Sequence, residues 1–397
     1  MYQFDFARLK TCMRRAAQGG ELTIGFLGGS ITQGSCAKVH ENTYAYRVFS
    51  WWEHTFPEAE FHYVNGGIGG TTSHYGAARA VTDVLMYQPD FVVVDFSVND
   101  DADAFFQETY EGVVRRLLNW PSRPAVLLLN NVFYDTGKNA QEFHNAVGEW
   151  YRLPYVSIRD TVYQRMKARN GRMPFGYTLS GEACPPRRGM DCGMPFGYTL
   201  TELTPDGLHP NDVGHGLVAG EIIKLLECVK KEVQEEKTDL DGVAGKESVT
   251  AETLPPPMTA NAYEHARRLT IREISPKLYG FQTDAKEKKG LLDAFKNGWI
   301  GKKAGDRLVF EVEASCIAVQ YRKSVAKPAL SAQAVLDEDI GAAVLLDGGF
   351  DEDWGDCQYL QVILHHGSRK KHKIEVEVLP GKADAAVPFY LMAFIVA

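Results

Sequence analysis

The chain has 397 residues, a length that suits two or three domains, and its 45% hydrophobic and 24% charged residues suit a globular protein. Its 51 acidic and 43 basic residues leave a net charge of -8, which argues against a nucleic-acid partner. No run of 18 apolar residues occurs, so no membrane partner is expected, and the N-terminal stretch lacks the apolar core and cleavage site of a secretion signal, so a cytoplasmic location is expected.

In chain order, short apolar runs at 22–27, 61–64, 91–96, 125–129 and 154–158 read as buried strands. Amphipathic stretches at 44–56, 76–87, 110–120 and 141–151 lie between them, and another follows at 213–235. This alternation predicts an α/β domain: a three-layer parallel sheet with helices on both faces and its site beyond the carboxyl ends of the strands. Residues 1–232 are assigned to that domain. A charged and then proline-rich passage at 233–267 reads as a linker or a surface arm. From 268 to 397 the segments 307–313, 317–322, 343–346, 360–364, 372–378 and 390–396 are short, rich in β-branched residues and divided by turn residues. They predict a C-terminal antiparallel β-sandwich.

The seven cysteines are odd in number and contain no Cys-x-x-Cys pair, which points to reduced thiols, although Cys184 and Cys192 are close enough in sequence to pair. The heptapeptide Met-Pro-Phe-Gly-Tyr-Thr-Leu occurs at 173–179 and again at 194–200, and reads as a local duplication in a surface loop bordering the site. Histidines at 40, 54, 62, 74, 365 and 366 lack partners at ligand spacing, so no metal site is expected.

Four blocks carry chemistry. Gly28-Gly29-Ser30 follows the first strand, where the glycines permit a sharp turn that presents a hydroxyl; a helix cap or a phosphate loop is the alternative. Asn65-Gly66-Gly67-Ile68-Gly69-Gly70 follows the second strand and lets backbone N–H groups approach a ligand, or is a plain flexible turn. Asn99-Asp100 closes the third, and an Asn side chain offers uncharged N–H donors suited to an oxyanion, or an Asx turn. Asp206-Gly207-Leu208-His209-Pro210 sets an aspartate three residues before a histidine, which can orient an imidazole toward a serine. A phosphate-loop nucleotide binder is a poor fit, because no Gly-Lys-Ser/Thr follows the glycines.

These four blocks, in this order, resemble the SGNH (GDSL-like) hydrolases over roughly residues 20–230. Gly-Gly-Ser where many members carry Gly-Asp-Ser resembles a carbohydrate-esterase branch, and the C-terminal region resembles the β-sandwich modules of two-domain bacterial carbohydrate acetylesterases. The resemblance implies a serine esterase with Ser30 as nucleophile, His209 as base and Asp206 as orienting acid. It implies an oxyanion hole of the Ser30 N–H, the Gly70 N–H and the Asn99 side chain, with Gly69 as the alternative glycine and Asp100 as a structural residue. The expected substrates are acetylated plant-type manno- or xylo-oligosaccharides, and no cofactor is expected. Trp354, on a loop expected to fold over the esterase site, is a candidate sugar platform, and Trp299 and Trp354 read equally as core or interface residues. His74 is expected to border the pocket. A lipase or thioesterase of the same superfamily and a silent carbohydrate-binding protein are the competing readings, and a homodimer is left open.

Overall fold

Strands buried on both faces are apolar along most of their length, and the runs Phe91–Asp95 and Ala125–Asn130 are buried at every position, each with one polar residue at its carboxyl end. A computed structural model describes residues 4–168, 198–240, 253–381 and 387–397. In chain order the first elements are α1 (Ala7–Ala16), β1 (Glu21–Gly28), α2 (Ser30–Gln33), α3 (Tyr44–Thr55), β2 (Glu60–Gly67), α4 (Ser73–Asp83) and β3 (Phe91–Asp95). They are followed by α5 (Ala104–Leu118), β4 (Ala125–Asn130), α6 (Gln141–Trp150), β5 (Tyr155–Ser157), α7 (Gln164–Ala168), α8 (Leu200–Leu203) and α9 (Asp212–Leu240).

The five strands form one parallel sheet in the order β2-β1-β3-β4-β5. The chain reverses its direction of travel between β1 and β3, and the crevice at the carboxyl ends of such a pair is where open α/β sheets place ligands. Register aligns the strand ends that carry the first three sequence blocks: Gly28 of β1 stands opposite Gly67 of β2 and Asp95 of β3. One face is covered by α3 and α9, whose Val48, Trp52, Ile222 and Leu226 share a core with Ile24, Phe26, Val93 and Leu127. The helices start where polar residues cap them. Thr43 accepts from Tyr46 N at 3.2 Å and Asp103 from Phe106 N at 2.9 Å.

The second set of strands is β6 (Arg267–Leu269), β7 (Lys277–Tyr279), β8 (Gln282–Asp284), β9 (Gly298–Gly301), β10 (Arg307–Ala314) and β11 (Ile317–Lys323). After them come β12 (Ala332–Leu336), β13 (Val344–Leu346), β14 (Cys357–Leu364), β15 (Lys370–Val378) and β16 (Phe389–Val396). They pair as two antiparallel sheets, β13-β12-β15-β10-β7 and β14-β11-β16-β9-β8, with β6 added to β16. Side chains of both sheets meet in one core, with the Phe310 and Phe394 rings 4.4 Å apart, and this makes a β-sandwich.

The chain forms two compact units, Met1–Ser73 with Ala80–Asn261, and His74–Arg79 with Ala262–Ala397. Within the first, residues 255–259 are tied down: Pro255 O accepts from Arg115 Nη1 at 3.1 Å, and Glu111 accepts from the backbone of Met258 and Thr259 at 2.6 and 2.8 Å. Some elements differ from their sequence expectation. α5 begins at Ala104 rather than 110 because Asp103 caps it, the predicted 76–87 helix is α4 followed by a separate turn at Leu85–Tyr87, and α9 continues past 235 to Leu240. The repeat residues 173–179 and 194–197, and Cys184 and Cys192, lie outside the described residues.

Candidate active site

β1 delivers Ser30 two residues past its end at Gly28, at the start of α2, with 8% of its surface exposed. The turn is pinned to its neighbours: Gly29 N donates to Asp95 O at 3.2 Å, and Ile68 N to Gly28 O at 3.1 Å. A Cβ on Gly29 would fall 2.2 Å from Asn99 Oδ1, so glycine is needed there for the Asn99 side chain to lie against the serine's backbone. Asn99 is itself placed by a tight turn after β3, in which Asn99 N and Asp100 N both donate to Phe96 O, at 2.9 and 3.0 Å. Among the described residues, no hydrogen bond engages the Asn99 side-chain amide or the Ser30 N–H.

The glycine-rich turn runs alongside. Gly69 N donates to Gln33 Oε1 at 2.7 Å, and a Cβ on Gly69 would stand 3.6 Å from Ser30 Cβ. Gly70 has φ of 65°, a conformation that favours glycine, and its N–H is unengaged among the described residues. Of the two candidate glycines, Gly69 therefore has its amide committed while Gly70 has a donor to offer. Asp100 holds the end of this turn from below: Oδ1 accepts from Ser73 N at 2.8 Å, and Oδ2 lies 3.0 Å from His144 Nε2, both side chains being fully buried. His144 stacks on Tyr110 with ring centroids 3.6 Å apart. These bonds make Asp100 a brace between the third block and the start of α4.

The fourth block is a self-bonded loop. Asp206 Oδ1 accepts from Leu208 N at 2.9 Å, His209 N at 2.8 Å and Thr204 Oγ1 at 3.1 Å, and Oδ2 lies 2.6 Å from His209 Nδ1. Burial alone would raise this carboxyl, but the bonds from the His209 ring and from the two backbone N–H groups outweigh it and hold it at about 2. The carboxylate stays ionised at neutral pH, which fixes the proton on Nδ1 and turns Nε2 outward as an acceptor. His209 Nε2 lies 2.8 Å from Ser30 Oγ. Asn211 pins the far side by accepting from Val213 N and Gly214 N at 2.9 and 3.1 Å, at the head of α9. Ser30, His209 and Asp206 thus form one hydrogen-bonded chain, and the Ser30 N–H, the Gly70 N–H of the neighbouring turn and the Asn99 amide beside Gly29 are uncommitted donors among the described residues. Such an arrangement can deprotonate a hydroxyl and stabilise an oxyanion.

Two residues near this chain were not singled out by sequence. Asp95 lies under the Ser30 turn, where Oδ2 accepts from Thr32 Oγ1 at 3.0 Å and Asn131 Nδ2 at 2.9 Å; burial pushes its carboxyl up to about 7. Its position as the last residue of a buried apolar strand was the available signal. Cys36, six residues beyond Ser30, has its thiol beside Asp206 and His209, and no spacing rule joins positions that far apart in sequence. Of the substrate candidates, His74 is 4% exposed, its ring edge-on to Tyr263 at 5.0 Å, and burial together with His365 pushes it down to about 3. Trp354 lies between β13 and β14, 53% exposed, its indole N–H bonded to Glu352 and its ring edge-on to Phe350. Trp299, the companion tryptophan, is a core residue of the sandwich.

Residues 26–217 match the model of the GDSL-like lipase/acylhydrolase family. A search of curated protein sequences gives no match. Among solved structures, a two-domain esterase active on acetylated mannans, co-crystallised with mannopentaose, is 42% identical, with 99% of this chain and 95% of that chain covered and a TM-score of 0.85. A second structure of a two-domain esterase active on acetylated mannans matches at the same identity and TM-score, with 99% of this chain and 96% of that chain covered. Family match and full-length likeness agree with the strand order and the serine–histidine–aspartate geometry: the chain belongs to the GDSL-like lipase/acylhydrolase family and is a carboxylic ester hydrolase.

Proposed function

We propose that the protein removes acetyl groups from acetylated manno-oligosaccharides through an acyl-enzyme on Ser30. The observation that carries the reaction is the 2.8 Å approach of Ser30 Oγ to His209 Nε2, backed by an ionised Asp206. Ser30 Oγ attacks the acetyl carbonyl as His209 takes its proton, and the oxyanion forms against Ser30 N–H, Gly70 N–H and Asn99 Nδ2. His209 then protonates the departing sugar hydroxyl, and in the second half it activates the water that releases acetate. The sugar class is supported by the 42% identity, across both units, to an esterase active on acetylated mannans. The exposed Trp354 ring is the proposed stacking surface for a sugar. Cys12, Cys36, Cys316 and Cys357 are free thiols, which supports a cytoplasmic setting and oligomers rather than polymer as substrate.

Mass spectrometry of acetylated mannan, xylan and cello-oligosaccharides incubated with the full chain tests this reading. Loss of acetyl groups from manno-oligosaccharides ahead of the others is expected. Preference for p-nitrophenyl octanoate over the acetate would instead mark a lipase or thioesterase.

A further inference from the structure

The loop that follows α2 brings a thiol to the catalytic pair. Cys36 Sγ, a carboxylate oxygen of Asp206 and a ring nitrogen of His209 all lie within 4.8 Å of one another. The loop is held on both sides of the cysteine. Ser35 N donates to Ser30 O at 3.0 Å, Ser35 O lies 3.1 Å from His215 Nε2, and Lys38 N donates to Asp212 Oδ1 at 2.9 Å. The thiol is therefore presented from a fixed backbone rather than from a wandering tip.

Thiolate, imidazole and carboxylate form a donor set suited to zinc. Tetrahedral zinc holds sulfur at about 2.3 Å and nitrogen or oxygen at about 2.0–2.2 Å, which sets ligand atoms about 3.4–3.6 Å apart. The three atoms, within 4.8 Å of one another, would close on the ion to that spacing, with the 2.6 Å Asp206–His209 hydrogen bond giving way to the metal bonds. We propose that Cys36, Asp206 and His209 form an inhibitory site for a thiophilic divalent cation, zinc being the fitting case, with a water in the fourth position.

The inhibitory sign follows from the imidazole, and it rests on the proposed role of His209 as base. Zinc on Nε2 blocks the nitrogen that faces Ser30. Zinc on Nδ1 leaves the neutral ring's remaining proton on Nε2, which then cannot accept one. Either way the base is lost, and the Cys36 thiol gives up its proton to solvent as the zinc–sulfur bond forms.

The test titrates zinc chloride into the full chain hydrolysing p-nitrophenyl acetate. Activity should fall about tenfold or more at micromolar zinc and return with EDTA. Cys36→Ser should keep the basal rate yet need about 100-fold more zinc for the same inhibition, at or above the ~10–100-fold that losing an outer partner of a metal site costs. Cobalt(II) gives a readout independent of hydrolysis: wild type should show the near-ultraviolet thiolate-to-cobalt band, and Cys36→Ser should not. The cobalt band stands even where the acetylesterase reading fails, so the two failures are distinguishable. Equal zinc inhibition in Cys36→Ser, or no thiolate band in wild type, overturns the proposal.

Discussion

Ser30 and His209 are brought together by two regions of opposite construction. The serine side is buried and rests on strand ends locked in register, with Gly28 opposite Gly67 and Asp95. The histidine side is a half-exposed loop that owes its shape to one carboxylate, whose two oxygens take up backbone N–H groups and the imidazole. Packing places the first; charge-assisted hydrogen bonds place the second. Their aspartates show the difference. Burial dominates at Asp95 and pushes its carboxyl up to about 7, while bonding dominates at Asp206 and holds it at about 2. The same residue type is made reluctant to ionise in one region and eager to in the other.

Five measurements would break or sharpen this contrast. The largest effect is expected at Ser30, where Ser30→Ala should lower kcat on p-nitrophenyl acetate by about 10⁶. Asp206→Asn should cost about 10⁴, because the amide keeps an acceptor for the backbone but selects the wrong imidazole tautomer. A loss as small as a few-fold would mean the loop holds its shape without the charge. Asn99→Ala should cost about 10²–10³ in kcat. Gly29→Ala should approach the same loss, since its Cβ would fall 2.2 Å from Asn99 Oδ1. A harmless Gly29→Ala would show that Asn99 does not act from where it stands.

The smallest effect is on stability against pH, and the two aspartates have opposite signs. The depressed Asp206 contributes stability that is present above its ordinary 3.8 and is lost as pH falls through about 2. The raised Asp95 contributes stability that is full below 3.8 and is lost as pH rises through about 7. The buried His74, held down to about 3, acts in the opposite sense over this range, so the Asp95 part shows by comparison: the change in melting temperature from about pH 5 to about pH 8 should be a few degrees more positive in Asp95→Asn than in wild type. An equal slope in the variant would remove Asp95 as the cause.

What could be read from sequence divides along the same line. β1, β3 and β4 were legible because burial on both faces demands long apolar runs; the glycines and Asn99 stood out as turn and donor types at strand ends, and Asp206 and His209 as an Asp-x-x-His pair. The start of α5 at Ala104 was missed because Phe105 and Phe106 break the polar-apolar rhythm of a helix head that depends on Asp103. β12 was missed because Ala-Gln-Ala-Val-Leu carries weak strand propensity and forms only by pairing with β13 and β15. Whether Gly69 or Gly70 offers a donor turned on the reach of Gln33, and the nearness of Cys36 to Asp206 turned on how the loop after α2 meets α9. Those are facts of tertiary placement, which no local pattern encodes.

The proposed nucleophile Ser30 and its proposed base His209 are 179 positions apart along the chain. A ribosome adding ~5–20 residues each second needs roughly 9–36 s to travel from one to the other. Throughout that interval the nascent polypeptide carries its serine with no imidazole to activate it, so the ability to cut esters arrives late in synthesis, as a property of the nearly finished first unit.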